Sequence, residues 1–332
     1  MVCVVTGAAG HIGVNLVREL LAQGRQVRVV DLREPTAPVQ QGARFVSADV
    51  RDPVAMSSAL AGVDTVFHLA AVISVAGSMG GLVEDVNIHG VRTVAEAALR
   101  AAVRRLVHCS SVHAFDLFSM RGRSVDEGSP RSLDRRLPAY DRSKAAGEAQ
   151  LQRVVAAGLD AVVVNPKGVI GPRDEQPSRM GRFFLALAAG RLPATVAGGF
   201  DWVDVRDVVA ALLSAETEGR TGENYLVGGH YASTRELAVI AQGVTGVPAP
   251  RFGVPLWFAQ MWSPAATLVS RTGEHPLLYS RDTLHALASA PRVDSSKAER
   301  ELGYHARSTQ STVADLYASF AESGGPGDRP PN

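Results

Sequence analysis

Cysteine is nearly absent: the 332 residues include two, Cys3 and Cys109. Neither belongs to a CxxC pair, so both are expected as buried small hydrophobes in a reducing compartment, not as a disulfide or a metal site. HExxH is also missing and the nine histidines are scattered, which gives metal catalysis no support. No charge of either sign is in excess: Lys and Arg number 34 against 33 Asp and Glu, for a net charge of +1. Nothing in that balance draws the chain to nucleic acid or to a membrane surface. Long apolar runs are lacking too. The most membrane-like stretch, Phe252 to Ser270, carries Trp257, Phe258, Met261 and Trp262 but is broken by Pro255 and Pro264. A spanning helix needs about 20 apolar residues, so a helix covering a pocket is expected there, without stable membrane insertion. No charged leader precedes the first apolar run, which suggests a cytoplasmic protein.

Hydrophobic content of 46% and charged content of 20% are those of an ordinary soluble globular chain. Its first motif is a short apolar run, Val2 to Val5, followed by Thr6-Gly7-Ala8-Ala9-Gly10-His11-Ile12-Gly13. Gly7 permits a tight turn, Gly10 lets backbone approach a pyrophosphate, and Gly13 lets the next helix pack close to a sheet. The helix start offers unpaired N–H groups to phosphates. A second strand over Gln26–Asp31 ends in Asp31, 18 residues past Gly13, placed to accept hydrogen bonds from ribose hydroxyls and to repel a 2′-phosphate. That favours NAD over NADP, although Arg28 and Arg33 lie close enough to soften the preference.

Further strands are predicted at 44–47, 65–69, 105–110 and 161–165, with helices near 12–23, 53–60, 87–102 and 141–157. This alternation indicates an α/β fold with a doubly wound parallel sheet and the ligand at the strands' carboxyl ends. Asp49 and Val50 follow the third strand, with Asp49 placed to reach the adenine. Leu69, Ala70 and Ala71 end the fourth, where small residues let backbone lie against a cofactor. Past residue 165 the rhythm changes to a smaller α+β lobe. The division expected is a dinucleotide domain over 1–165, a mostly substrate-binding lobe over 166–322 and a loose Gly/Pro-rich tail over 323–332.

Tyr140 and Lys144 stand four positions apart at the start of an amphipathic helix and so share a face. A free phenol titrates near about 10, and a neighbouring ammonium favours its phenolate, so the pair can exchange a proton with a substrate hydroxyl or carbonyl. Lys144 can also hold the nicotinamide ribose. A hydroxyl to orient the substrate oxygen would come from Ser110 or Ser111 at the end of the fifth strand.

The motifs at 6–13, His68-Leu69-Ala70-Ala71, Asn87 opening NIHGVRTVAEAA, Ser110-Ser111 and Tyr140-Asp141-Arg142-Ser143-Lys144 resemble those of extended short-chain dehydrogenases/reductases. So do Asn165 to Pro172, the WVDVRDVV segment at 202–209 and SSKAERELGY at 295–304. The resemblance implies a Rossmann-type NAD(P) domain, a catalytic Ser111-Tyr140-Lys144 and a contribution from Asn87, for which capping a helix that starts at residue 88 is an equal reading. It also implies cofactor contacts from Pro166, Gly168 and Val169, and a homodimer paired through the helices near 88–102 and 141–157. Substrate contacts are expected at Val72, Ser74, Val112, His113, Phe184, Phe200 and Trp202.

Within that superfamily, nucleotide-sugar epimerases often place asparagine where this chain has Gly168, arginine where it has Asn165, and arginine where it has Phe200. The aromatic residues of the second lobe instead suggest a partly apolar pocket and a small-molecule substrate. The pattern is nearest the dihydroflavonol reductase and 3β-hydroxysteroid dehydrogenase branch, which interconverts bulky secondary alcohols and ketones. The alternatives are an epimerase or dehydratase with tightly held NAD, in which Arg173, Arg179, Arg182 and Arg191 could meet a phosphate, and a catalytically idle NAD-binding sensor.

Overall fold

The computed structural model describes residues 1–35, 42–74, 77–258 and 291–322. Its strands begin with β1 (Val2–Thr6), β2 (Gln26–Asp31), β3 (Ala43–Ser47), β4 (Thr65–His68), β5 (Arg105–Cys109), the short β6 (Ser124–Val125), β7 (Ala161–Pro166) and β8 (Gly168–Ile170). They continue with β9 (Ala194–Val196), β10 (Gly199–Asp204), β11 (Asn224–Val227), β12 (His230–Ser233), β13 (Phe252–Val254) and β14 (Arg292–Val293). Seven of them form a parallel sheet in the order β11-β7-β5-β4-β1-β2-β3. Valines such as Val4, Val29, Val66, Val107 and Val163 fill it, because a strand covered on both faces has no position for a polar alternation.

Helices α1 (His11–Ala22), α2 (Pro53–Ala59), α3 (Val91–Arg100) and α4 (Ala139–Ala156) cross over between strands. One face of the sheet is closed by α2, α3 and α4, and the other by α1 together with a later helix. The order of the strands reverses between β1 and β4, so the chain leaves their carboxyl ends in opposite directions and opens a crevice there.

The second lobe holds α5 (Arg179–Ala188), α7 (Thr234–Thr245) and α9 (Thr309–Glu322) around the three-stranded sheet β12-β10-β8. Its core includes Ile170, Phe183, Phe184, Trp202, Leu237 and Leu316. Ser233 and Glu236 form the reciprocal N-terminal cap that their spacing predicts.

Some elements past residue 165 join the first lobe. Helix α6 (Val205–Thr217) packs on α1 and the sheet, and β11 pairs with β7 in register Asn224↔Val163. Helix α8 (Ser296–Leu302) joins the same core through Ala298 and Leu302. Without β11 the edge of β7 would be bare, so the chain returns to the first lobe to cover it.

Most of the apolar stretch at 252–270 and the whole tail at 323–332 lie outside the described residues, while Phe252, Trp257 and Phe258 are exposed. No helix among the described residues is long and apolar enough to cross a membrane. Both cysteines are buried and free.

Candidate active site

The glycine turn sits directly in the crevice. Gly7 has φ +70°, and a Cβ there would lie 2.6 Å from the Ala70 nitrogen on the segment leaving β4. A Cβ on Gly13 would meet the Gly7 carbonyl oxygen at 2.4 Å. The two glycines therefore let β1, α1 and the Leu69–Ala71 backbone close on one another. Leu69 and Ala70 donate their N–H groups to Thr6 Oγ1 at 3.2 and 3.3 Å, which fixes that segment beside the turn. Gly10 caps α1 without any side-chain acceptor, leaving the first N–H groups available to an anion.

Asp31 completes this end. Its Oδ2 accepts from the Ala9 N–H at 3.1 Å, which holds the carboxylate above the turn. Arg28 turns away, donating to the carbonyls of Ala59 and Ala61. These features fit the adenosine and pyrophosphate of a dinucleotide; past the end of β5 the Ser110 hydroxyl is buried and has no partner among the described residues. Asp31→Ala is expected to weaken NADH binding about 10- to 100-fold, the worth of a charge-assisted bond, and to change NADPH binding little. Fluorescence titrations with the two cofactors give the comparison.

Other expected contacts sit differently. Both Asp49 oxygens accept from the Arg51 guanidinium, at 2.6 to 3.0 Å. Val50 is buried against Gly90. The His11 ring makes a 3.0 Å hydrogen bond with the Pro172 carbonyl and so ties α1 to the second lobe. Ile12 packs on the core beneath it.

At the other end, Tyr140 and Lys144 project from the first turns of α4, with the Lys144 amine 5.9 Å from the phenol ring centre. Burial raises the Tyr140 phenol above its ordinary range; the neighbouring Ser111 hydroxyl opposes this and Asp141 adds to it. Burial also lowers the Lys144 ammonium, with Cys109 and Glu148 opposing. Burial thus works against the phenolate that a neighbouring ammonium favours.

Asn87 does not cap a helix. It lies in a π-helical turn, Asp85–Gly90, ahead of α3. Its amide accepts from Val72 N–H (2.8 Å) and donates to the Val72 carbonyl (3.0 Å) and to Ser143 Oγ (2.9 Å). Ser143 in turn donates to the Tyr140 carbonyl at 2.7 Å. One amide thereby locks the loop after β4 to the turn that carries Tyr140. Gly147 allows this contact, since a Cβ there would sit 2.2 Å from the Asn87 carbonyl oxygen.

A buried network behind Ser111 was not foreseen. Asn165 donates to the Ser111 carbonyl (2.9 Å) and to Glu148 (2.7 Å), while Asn224 donates to Glu148 (2.8 Å) and Asn165 (2.8 Å). Arg131 pairs with the same Glu148. The one available signal was Glu148 four residues past Lys144, a carboxylate on the buried face of an amphipathic helix.

The substrate-side expectations divide. Val112, Phe184 and Trp202 are core residues, packed in their own apolar clusters, and do not form the wall expected of them. The Trp202 indole donates to the Ala232 carbonyl at 2.8 Å and covers Gly168, where a Cβ would fall 2.8 Å from its ring. Phe200 is half-buried, edge-on to Trp202 at 5.2 Å. Ser74 is buried and Val72 half-buried. Pro166 is buried at the end of β7, and Val169 pairs with Val203 in the second lobe. His113, partly open, faces Tyr140.

Two further histidines close the floor. His68 and His108 stack with ring centres 5.1 Å apart, and Thr6 Oγ1 lies 2.7 Å from His68 Nδ1. Burial holds His68 down to about 3 and His108 well below its usual value, so both stay neutral. Among the described residues no group of three or more His, Cys, Asp or Glu side chains could hold a metal ion.

Comparison with known proteins agrees with this geometry. A family model described as the NAD dependent epimerase/dehydratase family matches residues 3–228. The chain is 36% identical over 328 residues to sterol demethylase protein B of Methylococcus capsulatus, covering 98% of this chain and 99% of that protein. It is 37% identical over 277 residues to UDP-glucose 4-epimerase of Mycolicibacterium smegmatis, covering 76% and 85%. The crystal structure of the dTDP-glucose 4,6-dehydratase DesIV from Streptomyces venezuelae, solved with NAD bound, superposes with a TM-score of 0.78 at 27% identity over 97% of each chain.

Proposed function

Because this chain belongs to the NAD dependent epimerase/dehydratase family, we propose that it interconverts a secondary alcohol and a ketone on a bulky, partly apolar substrate. NAD, when bound, supplies the acceptor or donor of hydride. In this reading Tyr140 takes or gives the proton of the substrate oxygen. The Ser111 hydroxyl donates to that oxygen as charge develops on it. Lys144 holds the cofactor's ribose, and Asp31 selects NAD over NADP.

The observation that carries the choice of substrate is the packing at Gly168. Nucleotide-sugar enzymes often have an amide there, and in this chain the Trp202 ring fills the space any side chain would need. Asn165, at a position where those enzymes often carry arginine, is spent on Glu148 and the Ser111 carbonyl. A relative of nearly equal length bears a sterol name, in keeping with a large apolar skeleton. The proposal extends to a cytoplasmic homodimer, with α3 and α4 as the pairing helices.

The test follows NADH formation with a panel of hydroxysteroids and cyclic secondary alcohols, alongside UDP- and dTDP-sugars, and measures NAD released on denaturation. Turnover with freely exchanging NAD on the alcohol panel is expected. Stoichiometric retained NAD with turnover of nucleotide sugars alone would assign the chain to the epimerases and dehydratases. NAD binding without turnover of any compound would make it a sensor.

A further inference from the structure

We propose that His113, oriented by Asp141, is the proton relay between Tyr140 and solvent; the proposal rests on the reading of Tyr140 as the acid–base group. His113 lies in the 3₁₀ turn Val112–Ala114 that follows β5, and Asp141 in the first turn of α4. His113 Nδ1 is 3.0 Å from Asp141 Oδ1. The imidazole stands edge-on to the Tyr140 ring with centres 5.6 Å apart, and the His113 backbone N–H donates to Ser111 Oγ at 3.3 Å. The pair therefore touches two of the three groups assigned to the reaction.

The case for a relay comes from the place of the His113–Asp141 pair beside a half-buried phenol that its surroundings hold above the ordinary range. A phenol raised above its ordinary range does not lose its proton to bulk water unaided at neutral pH. The titratable neighbours offer no route outward. Lys144, His68, His108 and Cys109 are all buried, both histidines are held neutral, and the Cys109 thiol is pushed up to about 11. Arg179, the remaining charge acting on Tyr140, has no proton to lose. His113 and Asp141 differ, with side chains 24% and 15% exposed.

A carboxylate only accepts, so Nδ1 facing Asp141 is the protonated nitrogen of the neutral ring and Nε2 is left basic. This is the arrangement by which an aspartate orients a histidine for proton transfer in hydrolytic triads. In the oxidising direction Tyr140 passes its proton to His113 Nε2 and then accepts the alcohol proton as the C–H hydride leaves for the nicotinamide. The imidazolium returns its proton to water, so one alcohol and one NAD⁺ give one ketone, one NADH and one H⁺. Reduction runs the same sequence backwards.

A merely structural strap between the turn and α4 would predict the same distances, so the test uses readouts that a strap does not move. The first needs no substrate. ¹⁵N-histidine NMR of the full chain, with and without NAD⁺ and assigned through His113→Asn, is expected to show the Nδ1–H tautomer. That preference should weaken in Asp141→Asn. An Nε2–H tautomer overturns the relay. The second readout is turnover: His113→Ala is expected to lose on the order of 10- to 100-fold in kcat, and added imidazole to restore much of it. If Tyr140→Phe abolishes turnover while His113→Ala leaves kcat, its pH profile and its solvent isotope effect unchanged, the relay alone fails. If Tyr140→Phe leaves turnover intact, the acid–base reading itself fails.

Discussion

Replacing Tyr140 with phenylalanine is expected to lower kcat by roughly 10²- to 10⁴-fold, the usual contribution of a positioned acid–base group, while NADH affinity stays near that of the wild type. The two effects separate because the hydroxyl stands near Ser111 and is proposed to meet the substrate oxygen, whereas the glycine turn and Asp31 stand at the other end of the crevice. The ring itself remains, so its contacts with Lys144 and His113 and the fold of α4 are kept. The pH dependence follows from the direction of the shift. Burial raises the phenol, so the neutral form prevails through the neutral range. Oxidation, which needs the proton removed, should gain rate as pH rises, and ketone reduction should lose it. Steady-state rates in both directions across pH, with cofactor binding measured separately, check each part.

Gly7→Ala is expected to abolish measurable NAD binding and to destabilise the fold by several kcal/mol. Two costs combine. A left-handed backbone costs an alanine roughly 1–2 kcal/mol, and overpacking a filled site costs roughly 1–3 more. The clash is with backbone, Ala70 N at 2.6 Å and Ala70 Cα at 2.8 Å, which cannot rotate aside. Gly62→Ala isolates the first cost, since Gly62 has φ +67° with nothing within 4 Å of its would-be Cβ. Denaturant unfolding of the two variants, with NAD titration of each, should show a small loss of stability and intact binding for Gly62→Ala alone. Equal losses in both would mean that the close approach of the turn to the β4 segment is unimportant.

What was legible in the sequence is what local chemistry encodes. The bounds of β1 and β2 follow from valine-rich runs buried on both faces, and Gly7 and Asp31 from the turn they flank. The capping pair Ser233–Glu236 is three residues apart and needs no tertiary knowledge. The return of Asn224–Val227 to the first sheet was not legible, because nothing local tells that segment that its partner is β7 rather than a strand of its own lobe. Phe184 and Trp202 were misplaced for a related reason: an aromatic side chain gives the same hydrophobic signal whether it lines a cleft or fills a core. Asn87 suits a helix start by residue type, and nothing local marks the π-turn that holds it or the Gly147 backbone that approaches its carbonyl. The Glu148 network joins residues 17 to 76 positions apart, a set that only the folded sheet brings together.

The central claim is that one crevice brings a phenol, an amine and a serine hydroxyl to the reactive end of the cofactor. A crystal structure of the chain grown with NADH tests it most directly. The nicotinamide should lie over the carboxyl ends of β4 and β5, with Lys144 Nζ hydrogen-bonded to its ribose. Tyr140 and Ser111 should be placed so that a substrate oxygen bonded to both would hold its carbon within about 3–3.5 Å of the nicotinamide C4. A dinucleotide bound elsewhere, or a nicotinamide ring turned away from Tyr140, would contradict the account.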